Sequence, residues 1–147
     1  MLYLASDHAG YNLKEKIKKY LTVKKIAFRD IGAFKFDQND DYPDFALKAA
    51  RQVAKSKSNK GIIICSSGIG VSITANKIKD IRCGLACNQK MAKQSRQHNN
   101  TNILALSADF LSAPQAFKII KVWLKTPFSK ASRHRRRIKK INGIKNT

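Results

Sequence analysis

Five consecutive residues, Gly61, Ile62, Ile63, Ile64 and Cys65, form an unbroken apolar run that closes into a Ser/Gly turn. A strand without alternating polar side chains has no face to give to water. It belongs inside a parallel sheet covered on both sides. Parallel neighbours need crossover connections, which are usually helices, so this one segment predicts an α/β chain. The rest of the sequence keeps that rhythm. Apolar runs at 2–5, 26–31, 83–86 and 103–106 read as four further strands. Amphipathic stretches at 11–23, 45–55, 69–77, 90–97, 114–125 and 132–144 read as helices, and the Asp/Asn-rich segment 37–44 reads as a loop. Neither repeat nor linker interrupts the pattern, so one domain over 1–147 is expected, closed by a basic helix. The expected architecture is a three-layer α/β/α sandwich around a five-stranded, mostly parallel, Rossmann-like sheet.

Hydrophobic residues make up 43% of the 147, enough for one core and against disorder. No apolar run approaches the roughly 20 residues needed to span a bilayer. The opening from Met1 to His8 turns polar too soon for a secretory signal. Cys65, Cys83 and Cys87 are odd in number and lack scaffold spacing, which points to reduced thiols. Together these features predict a cytoplasmic protein without a membrane partner. Thirty Lys and Arg against nine Asp and Glu give a net charge of +21. Such a charge attracts anions, whether phosphorylated metabolites, nucleic acid or an acidic membrane. The lysines are dispersed from Lys14 onward, a distribution that favours a solvated surface over a binding footprint.

Open parallel sheets bind ligands just beyond the carboxyl ends of their strands. Ser6, Asp7, His8, Ala9 and Gly10 follow the first strand; Cys65, Ser66, Ser67, Gly68, Ile69 and Gly70 close the third. His98 and Asn99 stand just before the fifth. These polar and titratable groups are expected to collect at one edge of the sheet, with both histidines on loops. At 65–70 a buried strand runs through a glycine turn into a helix. The glycines allow tight bending and close approach to a ligand, and the helix start aims N–H groups at negative charge. A cysteine there gains thiolate character. The plainer reading is a small buried thiol beside a connecting turn. Cys83 and Cys87 are an even number of residues apart, which on a strand puts both on one core-facing side; no second pair exists to complete a metal site. Arg133 and Arg137 are one helical turn apart and can grip a phosphate together. The same basic cluster also suits a nucleic-acid backbone or a solubilising helix, and composition does not separate the three.

Taken in order, Asp7-His8-Ala9-Gly10, Asp41-Tyr42-Pro43, the run from Cys65 to Ile73, Ala75-Asn76-Lys77, Ser95-Arg96-Gln97-His98-Asn99, and Arg133-His134 with Arg137 cover nearly the whole chain. They resemble the type B ribose-5-phosphate isomerases and their relatives that act on galactose 6-phosphate and allose 6-phosphate. The resemblance implies an aldose–ketose isomerase of the non-oxidative pentose phosphate pathway, working through an enediolate. It implies Cys65 as the proton-transfer base and His98 as the ring-opening acid–base group. Asp7, His8, Tyr42, Ser66, Ser67, Gly68, Ile69, Gly70 and Asn99 are implied to bind substrate, with Arg133 and Arg137 on its phosphate. No metal or organic cofactor is implied. A homodimer or dimer of dimers with shared sites is.

Three positions depart from the family pattern. Ser66-Ser67 replaces the usual Gly-Thr and keeps one hydroxyl. Val71 stands where some relatives carry a glutamate base, which places this chain with the thiol-based branch. Asp109 stands where an arginine usually helps to bind phosphate, with Arg135 or Arg136 left to compensate. Two rival readings therefore stay open: an isomerase of a six-carbon sugar phosphate, and a basic nucleic-acid-binding protein. Against the second, the tail has no recognised binding motif and no interleaved aromatic residues; nucleic-acid binding is expected to be incidental.

Overall fold

A computed structural model describes residues 1–144. Five strands, β1 (Leu2–Ser6), β2 (Phe28–Asp30), β3 (Lys60–Cys65), β4 (Cys83–Leu85) and β5 (Ile103–Ser107), form one sheet in the order β2-β1-β3-β5-β4. Every pairing is parallel, with Gly61 opposite Ile103 and Cys65 opposite Ser107 in the central pair. Six helices accompany them: α1 (His8–Val23), α2 (Tyr42–Ala54), α3 (Ile69–Ala75), α4 (Gln89–Asn99), α5 (Ala113–Lys125) and α6 (Ser132–Asn142).

The apolar run behaves as its composition requires. Ile62 and Ile64 face a cluster with Leu13, Ile17 and Leu21 of α1 and Ile119, Ile120 and Trp123 of α5. Ile63 and Cys65 face the opposite cluster, made by Ala46, Ala49 and Val53 of α2 and Val71 and Ala75 of α3. Alternation thus sends neighbouring side chains into two separate cores. Each fully buried isoleucine contributes about 2 kcal/mol through removal from water.

Several boundaries differ from the sequence expectation. Helix α1 starts at His8 instead of residue 11, because the Asp7 side chain accepts from the Gly10 N–H at 2.9 Å and caps it. Gly10 is no breaker here. A Cβ at that position would lie 2.7 Å from the Ile64 carbonyl oxygen, so glycine lets α1 close onto β3. Helix α2 begins at Tyr42, three residues early, with Pro43 in its first turn, where its missing N–H costs nothing. Strand β2 is an edge strand of three residues and omits Ile26. Helix α6 stops at Asn142 instead of 144.

Candidate functional site

The chain leaves β1 in one direction to form β2 and in the other to form β3, which makes the β1/β3 boundary a topological switch point. The loops beyond such a boundary diverge and leave a crevice at the carboxyl edge. Asp7 and Cys65 stand on either side of it.

Cys65 ends β3 with 4% of its surface exposed, and its Sγ accepts from the Gly68 N–H at 3.1 Å. Gly68 has φ 78°, and a Cβ there would meet Leu85 Cδ1 at 2.6 Å and the Leu106 carbonyl at 3.0 Å. Only glycine turns the backbone amide toward the sulfur at that point. The Ser67 hydroxyl accepts from the Ile69 N–H at 3.2 Å. The turn is also tied to β5: Ala108 N–H donates to the Cys65 carbonyl at 2.9 Å, and the Ser107 hydroxyl donates to the Ser66 carbonyl at 2.6 Å. Exposed Asp109 accepts from the Ser66 hydroxyl through its carboxylate. Tyr42 sits over the start of α3, where a Cβ on Gly70 would press into its ring at 2.6 Å.

Across the crevice, Asp40 holds His8 twice, accepting from the backbone N–H at 2.9 Å and lying 2.6 Å from Nδ1. The hydrogen bond to Asp40 raises the His8 pKa above its ordinary value, against the opposing effect of desolvation. Burial raises the Asp7 carboxyl as well, opposed by the Gly10 N–H and by His8. The only sequence signal for Asp40 is its membership of the Asp/Asn-rich loop 37–44. Asp7, His8 and Asp40 bring ligand-type atoms within 4.8 Å of one another. Internal hydrogen bonds already use one Asp7 oxygen and His8 Nδ1.

His98 and Asn99 do not join this group. They occupy the last turn of α4, not a loop, and lie at the amino edge of the sheet. A parallel crossover must carry the chain back across the sheet before the next strand begins, so residues just before a strand lie opposite those just after one. Ile103 to Ser107 is four residue steps, about 13 Å, and His98 lies before Ile103. At the amino edge His98 stacks on His134, with ring centroids 4.5 Å apart. That contact brings α6 alongside, with Arg133 and Arg137 exposed one turn apart. The expected residues therefore fall into two groups: Asp7, His8, Tyr42 and 65–70 at the carboxyl edge, and His98, Asn99, Arg133 and Arg137 at the amino edge.

The cysteine pair also differs from expectation. Cys83 is half-buried in β4, its thiol pushed up to about 12 by burial, whereas Cys87 is exposed beyond the strand. Strand β4 ends at Leu85, so strand alternation does not extend to Cys87.

Residues 2–141 match the family model described as Ribose/Galactose Isomerase. The ribose-5-phosphate isomerase B of Mycobacterium tuberculosis is 38% identical over 137 residues, covering 93% of this chain and 85% of the relative. The crystal structure of a ribose 5-phosphate isomerase from Thermotoga maritima superposes with TM-score 0.93 at 41% identity, covering 97% of both chains. That of ribose-5-phosphate isomerase B from Mycoplasma genitalium, solved with bound ribulose-5-phosphate, gives TM-score 0.91 at 42% identity, covering 96% of this chain and 93% of its own.

Proposed function

The chain belongs to the ribose/galactose isomerase family, and from that premise we propose that it interconverts ribose 5-phosphate and ribulose 5-phosphate. The observation that carries the proposal is Cys65: a buried thiol at the end of the central strand, beside the switch point, with the Gly68 N–H on its sulfur. A hydrogen bond of that kind is stronger to a thiolate than to a thiol.

In the proposed reaction Cys65 Sγ takes the proton from the carbon beside the carbonyl and returns it to the neighbouring carbon. Charge builds on oxygen in the enediolate, and backbone donors of the 66–70 turn receive it. Asp7, His8 and Tyr42 hold the sugar from the other side of the crevice. The proposal uses neither a metal nor an organic cofactor. His98 opens the sugar ring, Asn99 binds the substrate, and Arg133 and Arg137 bind the phosphate.

A sugar phosphate chain of six bonds from C1 to phosphorus, each about 1.5 Å, does not span the sheet within one protomer. The complete site is therefore proposed to form between two copies, as a homodimer or dimer of dimers, with one copy's His98 group facing the other's Cys65. A cytoplasmic setting and a place in the non-oxidative pentose phosphate pathway follow from the same reading. No helix among the described residues is long and apolar enough to cross a membrane.

The test is a coupled assay with ribose 5-phosphate, with and without a chelator. Chelator-insensitive formation of ribulose 5-phosphate supports the proposal. Turnover only of allose 6-phosphate or galactose 6-phosphate shifts the substrate to six carbons. Mixed Cys65→Ala and His98→Ala chains should recover activity that neither has alone; no recovery removes the shared site.

A further inference from the structure

A second cleft, of about 590 Å³, opens at the amino edge of the sheet and is not lined by any residue assigned above to the reaction. Its charged lining is Lys55, Lys57, Lys60, Arg82 and Arg96, against the single acid Asp80. Lys60, Arg82 and Arg96 form no ion pair among the described residues.

Two of these cations are fixed against the core. Lys60 Nζ and the Arg96 guanidinium lie 5.7 and 5.8 Å from the centre of the fully buried Trp123 ring. Arg96 is 9% exposed and donates to the Thr126 and Thr101 carbonyls and to Asn100 Oδ1. Arg82 donates through Nε and Nη2 to the Asn99 and Asn100 carbonyls. These bonds leave Arg96 Nη2, Arg82 Nη1 and Lys60 Nζ without an acceptor among the described residues. Desolvation depresses all three cations; Arg96 adds repulsion on Lys60, and Arg82 on Arg96. Partly desolvated like charges held together are costly, and an anion between them offsets that cost by attraction and cancels the repulsion. Each immobilised guanidinium keeps one terminal nitrogen free to donate a charge-assisted hydrogen bond to a phosphate oxygen.

We propose that this cleft is a binding site for a small metabolite carrying two or more phosphate groups, separate from the Cys65 site. Its volume lies in the range of small-molecule sites, roughly 300–1,000 Å³. The recess and its fixed donors distinguish it from the dispersed surface lysines. Because Arg82 and Arg96 also hold the 99–101 turn, an occupant would sit directly behind His98 and Asn99.

The test is calorimetric titration of the full chain with inorganic pyrophosphate at about 150 mM chloride, where diffuse attraction is screened. Saturable binding of one pyrophosphate per chain is expected. It should weaken about tenfold or more in Lys60→Met and in the rim variant Lys55→Gln/Lys57→Gln, which touches no anchoring bond. It should persist in Cys65→Ser, in Arg133→Gln/Arg137→Gln, and in a charge control, Lys16→Gln/Lys19→Gln/Lys24→Gln. Loss in the arginine pair would assign the binding to the substrate site and overturn the proposal. Equal weakening in the charge control would reduce it to net charge. Absence of pyrophosphate binding would also overturn it, and a single-stranded oligonucleotide bound through Lys55 and Lys57 instead would make the cleft part of a nucleic-acid surface.

Discussion

The imidazole rings of His98 and His134 stack with their centroids 4.5 Å apart and their planes 8° from parallel. His134 is the one buried residue of α6, so this contact seats the helix on α4. Burial holds the His134 pKa below its ordinary value, with Arg133, His98 and Arg137 acting in the same direction. A histidine depressed in the folded state takes up its proton first in the unfolded chain. Its contribution to stability is therefore full above about pH 6.5 and is lost as pH falls toward the folded value. Urea midpoints should drop between about pH 7 and about pH 5, and His134→Phe, which keeps a ring in place, should drop less.

Cys65→Ala should lower turnover of ribose 5-phosphate by about 10³-fold or more, the scale of a lost general base. The change removes one buried sulfur, and circular dichroism should match the parent. Near-parental activity would exclude Cys65 as the base.

Gly68 and Gly70 should respond differently to a methyl group. At Gly68 the new Cβ meets backbone and a positive φ, so Gly68→Ala should cost about 1–3 kcal/mol in denaturant unfolding. At Gly70 it meets the Tyr42 ring, which can rotate away. Gly70→Ala should cost about 1 kcal/mol and raise KM for the sugar phosphate, because Tyr42 is displaced from the crevice.

The Asp40 carboxylate should be legible in the titration of His8. By NMR the imidazole should titrate above about 6.5 in the parent and fall in Asp40→Asn. A raised histidine contributes stability that is full below its unfolded pKa and is lost as pH rises through the folded value, the opposite sense to His134. An unchanged His8 midpoint in Asp40→Asn would show that the pair does not persist in solution.

Lys14 is completely buried in α1, with its ammonium 2.7 Å from Asp30 at the end of β2. Asp30→Asn would leave Lys14 only the longer, part-exposed Glu15 carboxylate at 3.4 Å as an ionic partner, so a loss of about 1–3 kcal/mol is expected, measured by denaturant unfolding. Asp30 itself is raised by burial but held lower on balance by hydrogen bonds from Lys14, Lys18 and the Gly32 N–H. Its contribution is present above the ordinary carboxylate range and lost as pH falls through the depressed value.

The sequence by itself determined the layers. The short apolar run 61–65, rich in β-branched isoleucine and bounded by a Ser/Gly turn, fits a strand buried on both faces of a parallel sheet, and the intervening amphipathic stretches supply the crossovers. It also located Cys65, because a buried strand running into Ser66, Ser67 and Gly68 necessarily ends at the carboxyl edge. The edge that His98 occupies follows from chain direction as well, since a residue just before a parallel strand lies at the amino edge. Local patterns could not say that His98 stacks on His134, 36 residues later. Nor could they pair His8 with Asp40, 32 residues away, or place Lys60, Arg82 and Arg96 around one cleft. Those relationships join segments distant in sequence. They exist only once strand order and helix packing have fixed which chain ends meet, and that is a property of the whole sheet.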